Sequence, residues 1–118
     1  MTLLGVEIVN VSSSLLASTL ADLVIDSAHT LSVTGDKNLT ITAVVDMADT
    51  ASTTTGAIDA TIDASTFTGK LSIAPGVSGG DNYKITGGSA NDTFIMGAGL
   101  NVYDVIDGGD GIDTISVD

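Results

Sequence analysis

Nine residues, GGDGIDTIS from Gly108 to Ser116, put three glycines and two carboxylates into a single turn and then run into a strand-like segment. They match in full the pattern G-G-x-G-x-D-x-U-x, where U is a large apolar residue, a pattern associated with calcium-binding β-helices. GGSANDTFI, Gly87 to Ile95, matches with one departure, Ala90 in place of the third glycine. Glycine gives such a turn backbone conformations closed to other residues, so carbonyl oxygens can point inward. The sixth-position aspartates, Asp92 and Asp113, add carboxylates, and Phe94 or Ile115 two residues later anchors the strand in the core. Ca²⁺ takes six to eight hard oxygen ligands in flexible geometry, which a carbonyl-lined turn can supply. Asp92 and Asp113 are therefore expected as ligands, with a plain Asx-type turn as the alternative. Asp107 and Asp110, which flank or enter the second turn, are second-tier candidates, and Asp104 ranks below them.

Strands must position these turns. Short β-branched runs alternate with Thr, Ser and Asp along the chain: VEIVNV, LVID, LSVTG, LTITAVV, ATID, KLSIA, YKITG, DTFIM, YDVID and DTISV. Alternation sends one side chain inward and the next outward. A strand–turn–strand module recurs, with Ile62 and Leu71, Ile85 and Phe94, and Ile106 and Ile115 as its apolar anchors. Successive modules begin about 21 to 23 residues apart, which fits stacked coils whose equivalent strands pair in parallel. The expected fold is all-β: a right-handed parallel β-solenoid, β-roll-like, of about five rungs of roughly 20 residues. Residues 1–30 would form an N-terminal rung or cap, and 31–118 the solenoid, in one continuous domain. An antiparallel sandwich is the alternative. A short helix over SSSLLASTLADL is the weaker reading of that segment.

Composition narrows the function. Fifteen acidic residues face three lysines and no arginine, a net charge of −12, which argues against nucleic acid as a partner. Aromatic residues are 3% of the chain and cysteine is absent, so Val, Ile and Leu fill the core without disulfides or thiolate metal sites. No stretch of about 18 apolar residues suggests membrane insertion. MTLLGVEIVN lacks the basic start of a secretory signal. His29 is the only histidine and reads as a turn residue, so a hydrolytic triad has little support and no enzyme activity is expected. Threonines in STTTG and LTIT are irregularly spaced, which argues against a regular hydroxyl face of the ice-binding kind.

The glycine–aspartate repeats resemble RTX repeats of bacterial proteins exported by type I secretion. The wider run, VTGDKNLTIT, TIDASTFTGKLSI and ITGGSANDTFIMGAGLNVYDVIDGGDGIDTISV, is similar to repeat units of large S-layer and S-layer-like surface proteins, over residues 31–118. The resemblance implies Ca²⁺ between adjacent turns and an extracellular location at the bacterial cell surface. Carried over, the ligands are Gly87, Ala90 and Asp92, then Gly108, Gly111 and Asp113. Same-side turns lie 18 residues apart in RTX nonapeptides and 21 apart here. The segment between them, Gly97 to Val102, shows no sixth-position aspartate, so calcium is expected along one side only. The expected role is a self-assembling structural component of a surface layer, associating through solenoid ends or faces. A cell-surface polysaccharide could be held by regions outside this chain. The alternative is a repeat module of a secreted adhesin or of a type I-secreted enzyme.

Overall fold

The computed structural model describes residues 2–4, 8–21, 23–26, 29–45, 47, 56–75 and 81–117. Twelve strands follow in order: β1 Thr2–Leu4, β2 Ile8–Ser13, β3 Ser18–Leu20, β4 Val24–Asp26, β5 Thr30–Gly35, β6 Leu39–Val45, β7 Ala60–Asp63, β8 Leu71–Pro75, β9 Tyr83–Thr86, β10 Thr93–Ile95, β11 Val105–Asp107 and β12 Thr114–Ser116. The one helical element among the described residues is a 3-10 turn, Gly97–Gly99. Residues 12–20 are strand, turn and strand, so no helix forms over that part of SSSLLASTLADL.

The strands build two five-stranded sheets, ordered β11-β9-β7-β5-β2 and β12-β10-β8-β6-β3, with β1 and β4 adding a two-stranded third face. Every pairing among the described residues is parallel. Adjacent strands in each sheet come from successive passes of the chain, so the architecture is a parallel β-solenoid of about four turns. A sandwich, which needs antiparallel neighbours, is excluded.

Inward alternation makes the core. In one sheet Val9, Leu31, Ile62, Ile85 and Ile106 stack in register. In the other, Leu20, Ile41, Ile73, Phe94 and Ile115 do the same. The middle members of both columns are buried, while Ile115 is 48% exposed. Each fully buried aliphatic or aromatic side chain stabilises the coil by about 1.5–3 kcal/mol.

Register corrects two details of the sequence reading. The partner of Phe94 and Ile115 is Ile73, not Leu71. The turn between β7 and β8 is longer because Phe67 folds into the core there, with its N–H on the Ala64 carbonyl at 2.8 Å. Threonine spacing is also irregular only along the chain. Thr19, Thr40, Ser72, Thr93 and Thr114 form one outward column on the second sheet. The irregularity comes from the longer stretch of sequence between Thr40 and Ser72, and the β6–β8 pairing, in register at Thr40, shifts between Ile41 and Val45. STTTG lies almost wholly outside the described residues.

Candidate functional site

The turns that follow β2, β5, β7, β9 and β11 stack along one edge of the solenoid. Ser13 O accepts the N–H groups of Asp36 and Lys37, Gly35 O that of Thr68, Phe67 O that of Ser89, and Gly88 O that of Asp110. The turns 87–92 and 108–113 lie residue upon residue. Gly109 adopts φ +84°, and a Cβ there would meet the Gly88 carbonyl oxygen at 2.1 Å. A Cβ on Gly108 would meet the carboxylate of Asp113 at 2.2 Å. Glycine at 109 is a condition of close stacking, since a side chain there would push the rungs apart, while Gly108 leaves room for the Asp113 carboxylate of its own turn.

Asp92 stands one residue before Thr93, which pairs with Ser72, so it occupies the place that Leu71 holds one rung earlier. It is 1% exposed. Its Oδ1 accepts the N–H of Leu71 at 2.8 Å and its Oδ2 the N–H of Gly88 at 2.7 Å. Asp113 repeats the first contact one rung on, its Oδ1 accepting the N–H of Asp92 at 2.8 Å. Each sixth-position carboxylate thus reaches back to the preceding rung and satisfies a main-chain donor that the turn would leave unpaired. Asn91 works in the opposite direction, its Oδ1 accepting the N–H of Ile112 at 3.0 Å. Together these side chains staple neighbouring coils at the point where each turn becomes a strand.

The opposite edge carries the same device, in a residue the sequence reading ranked lowest. Asp104 precedes β11 directly. Its Oδ1 accepts the N–H of Tyr83 at 2.8 Å and its Oδ2 that of Asn101 at 2.7 Å. Asn101 in turn donates through Nδ2 to the Asp81 carbonyl at 3.0 Å. The signal was present as an aspartate two residues before an inward apolar side chain: Asp92 before Phe94, Asp104 before Ile106, Asp113 before Ile115. Counting from the glycines concealed it, because the 97–102 segment reaches the strand by a longer path through a 3-10 turn.

The eight expected ligand residues divide into two groups. Gly87, Ala90 and Asp92 stack directly on Gly108, Gly111 and Asp113. Asp107 and Asp110 lie instead on an outer cleft of about 400 Å³, with Ser65, Thr86, Ser89 and backbone of Gly87, Gly88 and Gly109. There the Asp107 carboxylate accepts the N–H of Gly109 at 3.1 Å. Asp63, in register one rung earlier than Thr86, forms the equivalent turn, accepting the N–H of Ser65 at 3.0 Å. The Ser65 hydroxyl and N–H hold the Asp63 carboxyl below the ordinary carboxylate range.

Electrostatically the C-terminal turns, 87–92 and 108–113, are one-signed, with aspartates and no lysine. The ion pair among the described residues joins neighbours Lys37 and Asp36, away from the C-terminal turns. No three acidic or imidazole side chains converge among the described residues. A cation at the stacked turns would therefore rest on main-chain carbonyls and at most two carboxylates. That oxygen-only donor set suits a hard divalent ion such as Ca²⁺ and offers nothing to soft metals. His29, whose Nδ1 lies 3.5 Å from the Asp59 carbonyl, belongs to a different turn.

The chain is thus an all-β parallel β-solenoid with aspartate-stapled turns. No family model matches it, and no curated protein or solved structure shows significant similarity to it.

Proposed function

We propose that this chain is a calcium-stabilised structural module of the RTX type, built into a bacterial surface layer outside the cell. The observation that carries the reading is the in-register stacking of 87–92 on 108–113, which brings two glycine-rich turns and the carboxylates of Asp92 and Asp113 into adjacent rungs. The carbonyls of Gly87, Ala90, Gly108 and Gly111 and the carboxylates of Asp92 and Asp113 would hold the ion. A net charge of −12 on 118 residues supports the reading, because a bound divalent cation offsets carboxylate repulsion along the stack. Binding to the folded form alone stabilises it by about 2.7 kcal/mol at a hundredfold excess over Kd. Calcium thereby acts as a folding ligand, abundant outside cells and scarce within. No described helix is long and apolar enough to cross a membrane.

The test is a calcium titration after chelation, followed by far-UV circular dichroism and thermal melts on wild type and Asp113→Asn. Asparagine keeps an oxygen for the Asp92 N–H and removes the charge. Wild type should gain thermal stability with calcium, and the variant should need at least about tenfold more calcium for the same gain. A wild-type melt indifferent to millimolar calcium would remove the metal from the reading.

A further inference from the structure

We infer that side-chain amides close the edge opposite the glycine turns in the place of a cation, so that calcium acts on one edge of the coil and leaves the other indifferent. This rests on the calcium reading and gives the other edge a closing device of its own.

The opposite edge is not short of carboxylates. Asp59, Asp81 and Asp104 lie in the segments that lead into β7, β9 and β11. Asp81 is 7% exposed and its neighbour Asn82 6%. What separates the two edges is the use made of asparagine. Asn82 donates through Nδ2 to the Ala57 carbonyl at 2.7 Å, and Asn101 donates through Nδ2 to the Asp81 carbonyl at 3.0 Å. Each amide crosses to the preceding rung and sets a positive hydrogen against a main-chain oxygen.

On the glycine edge the asparagines work the other way round. Asn38 Oδ1 accepts the N–H of Lys70 at 3.1 Å, and Asn91 Oδ1 accepts that of Ile112 at 3.0 Å. Among the described residues neither amide nitrogen reaches a carbonyl of a neighbouring rung, so the carbonyls of Gly87, Ala90, Gly108 and Gly111 receive no asparagine amide. A carbonyl oxygen taken from water costs free energy unless something positive meets it. An amide N–H does this on one edge, and a divalent ion does it on the other.

The amide edge holds its carboxylates by the same economy. Asp59 Oδ2 accepts the N–H of Asn82 at 2.9 Å, and Asp104 takes those of Tyr83 and Asn101. Asn101 Oδ1 accepts the N–H of Tyr103 at 2.8 Å, so its amide is bonded at both atoms and its orientation is fixed. From this edge β9 and β11 run in register, with Lys84 on Val105, Ile85 on Ile106 and Thr86 on Asp107, directly into Gly87 and Gly108. The amide edge thus delivers the two glycine turns side by side before an ion binds, which lessens the ordering that binding demands.

The test is hydrogen exchange read residue by residue on the wild-type chain, in chelator and in millimolar calcium. Amides of Asn82 and Tyr83 should exchange slowly in both and change by less than about twofold, while those of Asp92, Asp110 and Ile112 should slow by at least about tenfold with calcium. Equal slowing at both edges overturns the inference, and this comparison needs no variant to fold. Asn101→Asp keeps an acceptor for Tyr103 and removes the donor to the Asp81 carbonyl. In chelator it should speed exchange at Tyr83 by at least about tenfold. Asn91→Asp adds the same charge but loses no donor contact, and should leave Tyr83 unchanged. A folded Asn101→Asp with wild-type exchange at Tyr83, or an equal rise in Asn91→Asp, also overturns it. If Asp92, Asp110 and Ile112 ignore calcium, the metal reading falls. Faster exchange at Tyr83 in Asn101→Asp alone would then still support closure by the amides.

Discussion

Replacing Asp92 by alanine should unfold the solenoid's C-terminal half more readily than any change at an exposed aspartate. The side chain is 1% exposed and accepts two buried N–H groups, from Leu71 and Gly88. Alanine leaves both donors without a partner, and a buried orphan donor costs about 1–3 kcal/mol. The expected loss is therefore about 2–6 kcal/mol, a large share of the 5–15 kcal/mol that holds a typical domain. For a chain of this size that corresponds to a fall in Tm of about 8–24 °C. Asp92→Asn separates hydrogen bonding from charge: Oδ1 still serves Leu71, but the amide nitrogen faces the Gly88 N–H, so about half the loss should remain. Asp110→Ala is the control, since its carboxylate lies on the outer cleft, and it should stay within about 0.5 kcal/mol of wild type. The assay is urea denaturation followed by circular dichroism, carried out in chelator so that no metal contributes. A loss below about 1 kcal/mol for Asp92→Ala in chelator would refute the idea that the carboxylate staples rungs through the main chain.

Asp104→Ala should destabilise by about 1–3 kcal/mol through its partly buried N–H partners Tyr83 and Asn101. Faster hydrogen exchange at the Tyr83 amide would locate the effect, and unchanged exchange there would deny Asp104 its place beside Asp92. Acidification gives a further check, through Asp63. Its folded pKa lies below the unfolded value, so its contribution is present above about pH 4 and is lost as pH falls through the lowered folded value. Because Asp63 is exposed, solvent screening keeps that contribution to a fraction of a kcal/mol. Asp63→Asn should flatten the acid limb of the stability curve slightly, and a variant with an unchanged limb would contradict the Ser65 contact as its cause.

Local sequence carried most of the architecture. Alternating β-branched residues dictate strands with one apolar face, and the glycine–aspartate turns dictate where each strand must end. With so few aromatics and no cysteine, a narrow coil lined by Val, Ile and Leu is the arrangement that can bury those faces. The two glycine–aspartate turns, 87–92 and 108–113, were equally legible as turns, because each pattern is contiguous in the chain. Tertiary structure decided the rest. Register across the long coil between β6 and β7, the inward seat of Phe67, and the hydroxyl column from Thr19 to Thr114 all depend on which rungs stack. The separation of Asp92 and Asp113 from Asp107 and Asp110, and the equivalence of Asp104 to Asp92, depend on it too. The physical reason is that a parallel ladder fixes position by inward packing and main-chain pairing between rungs, while turns of different length absorb the mismatch. Spacing along the chain therefore reveals that a coil repeats, and only the stacked neighbour reveals which donor each carboxylate meets.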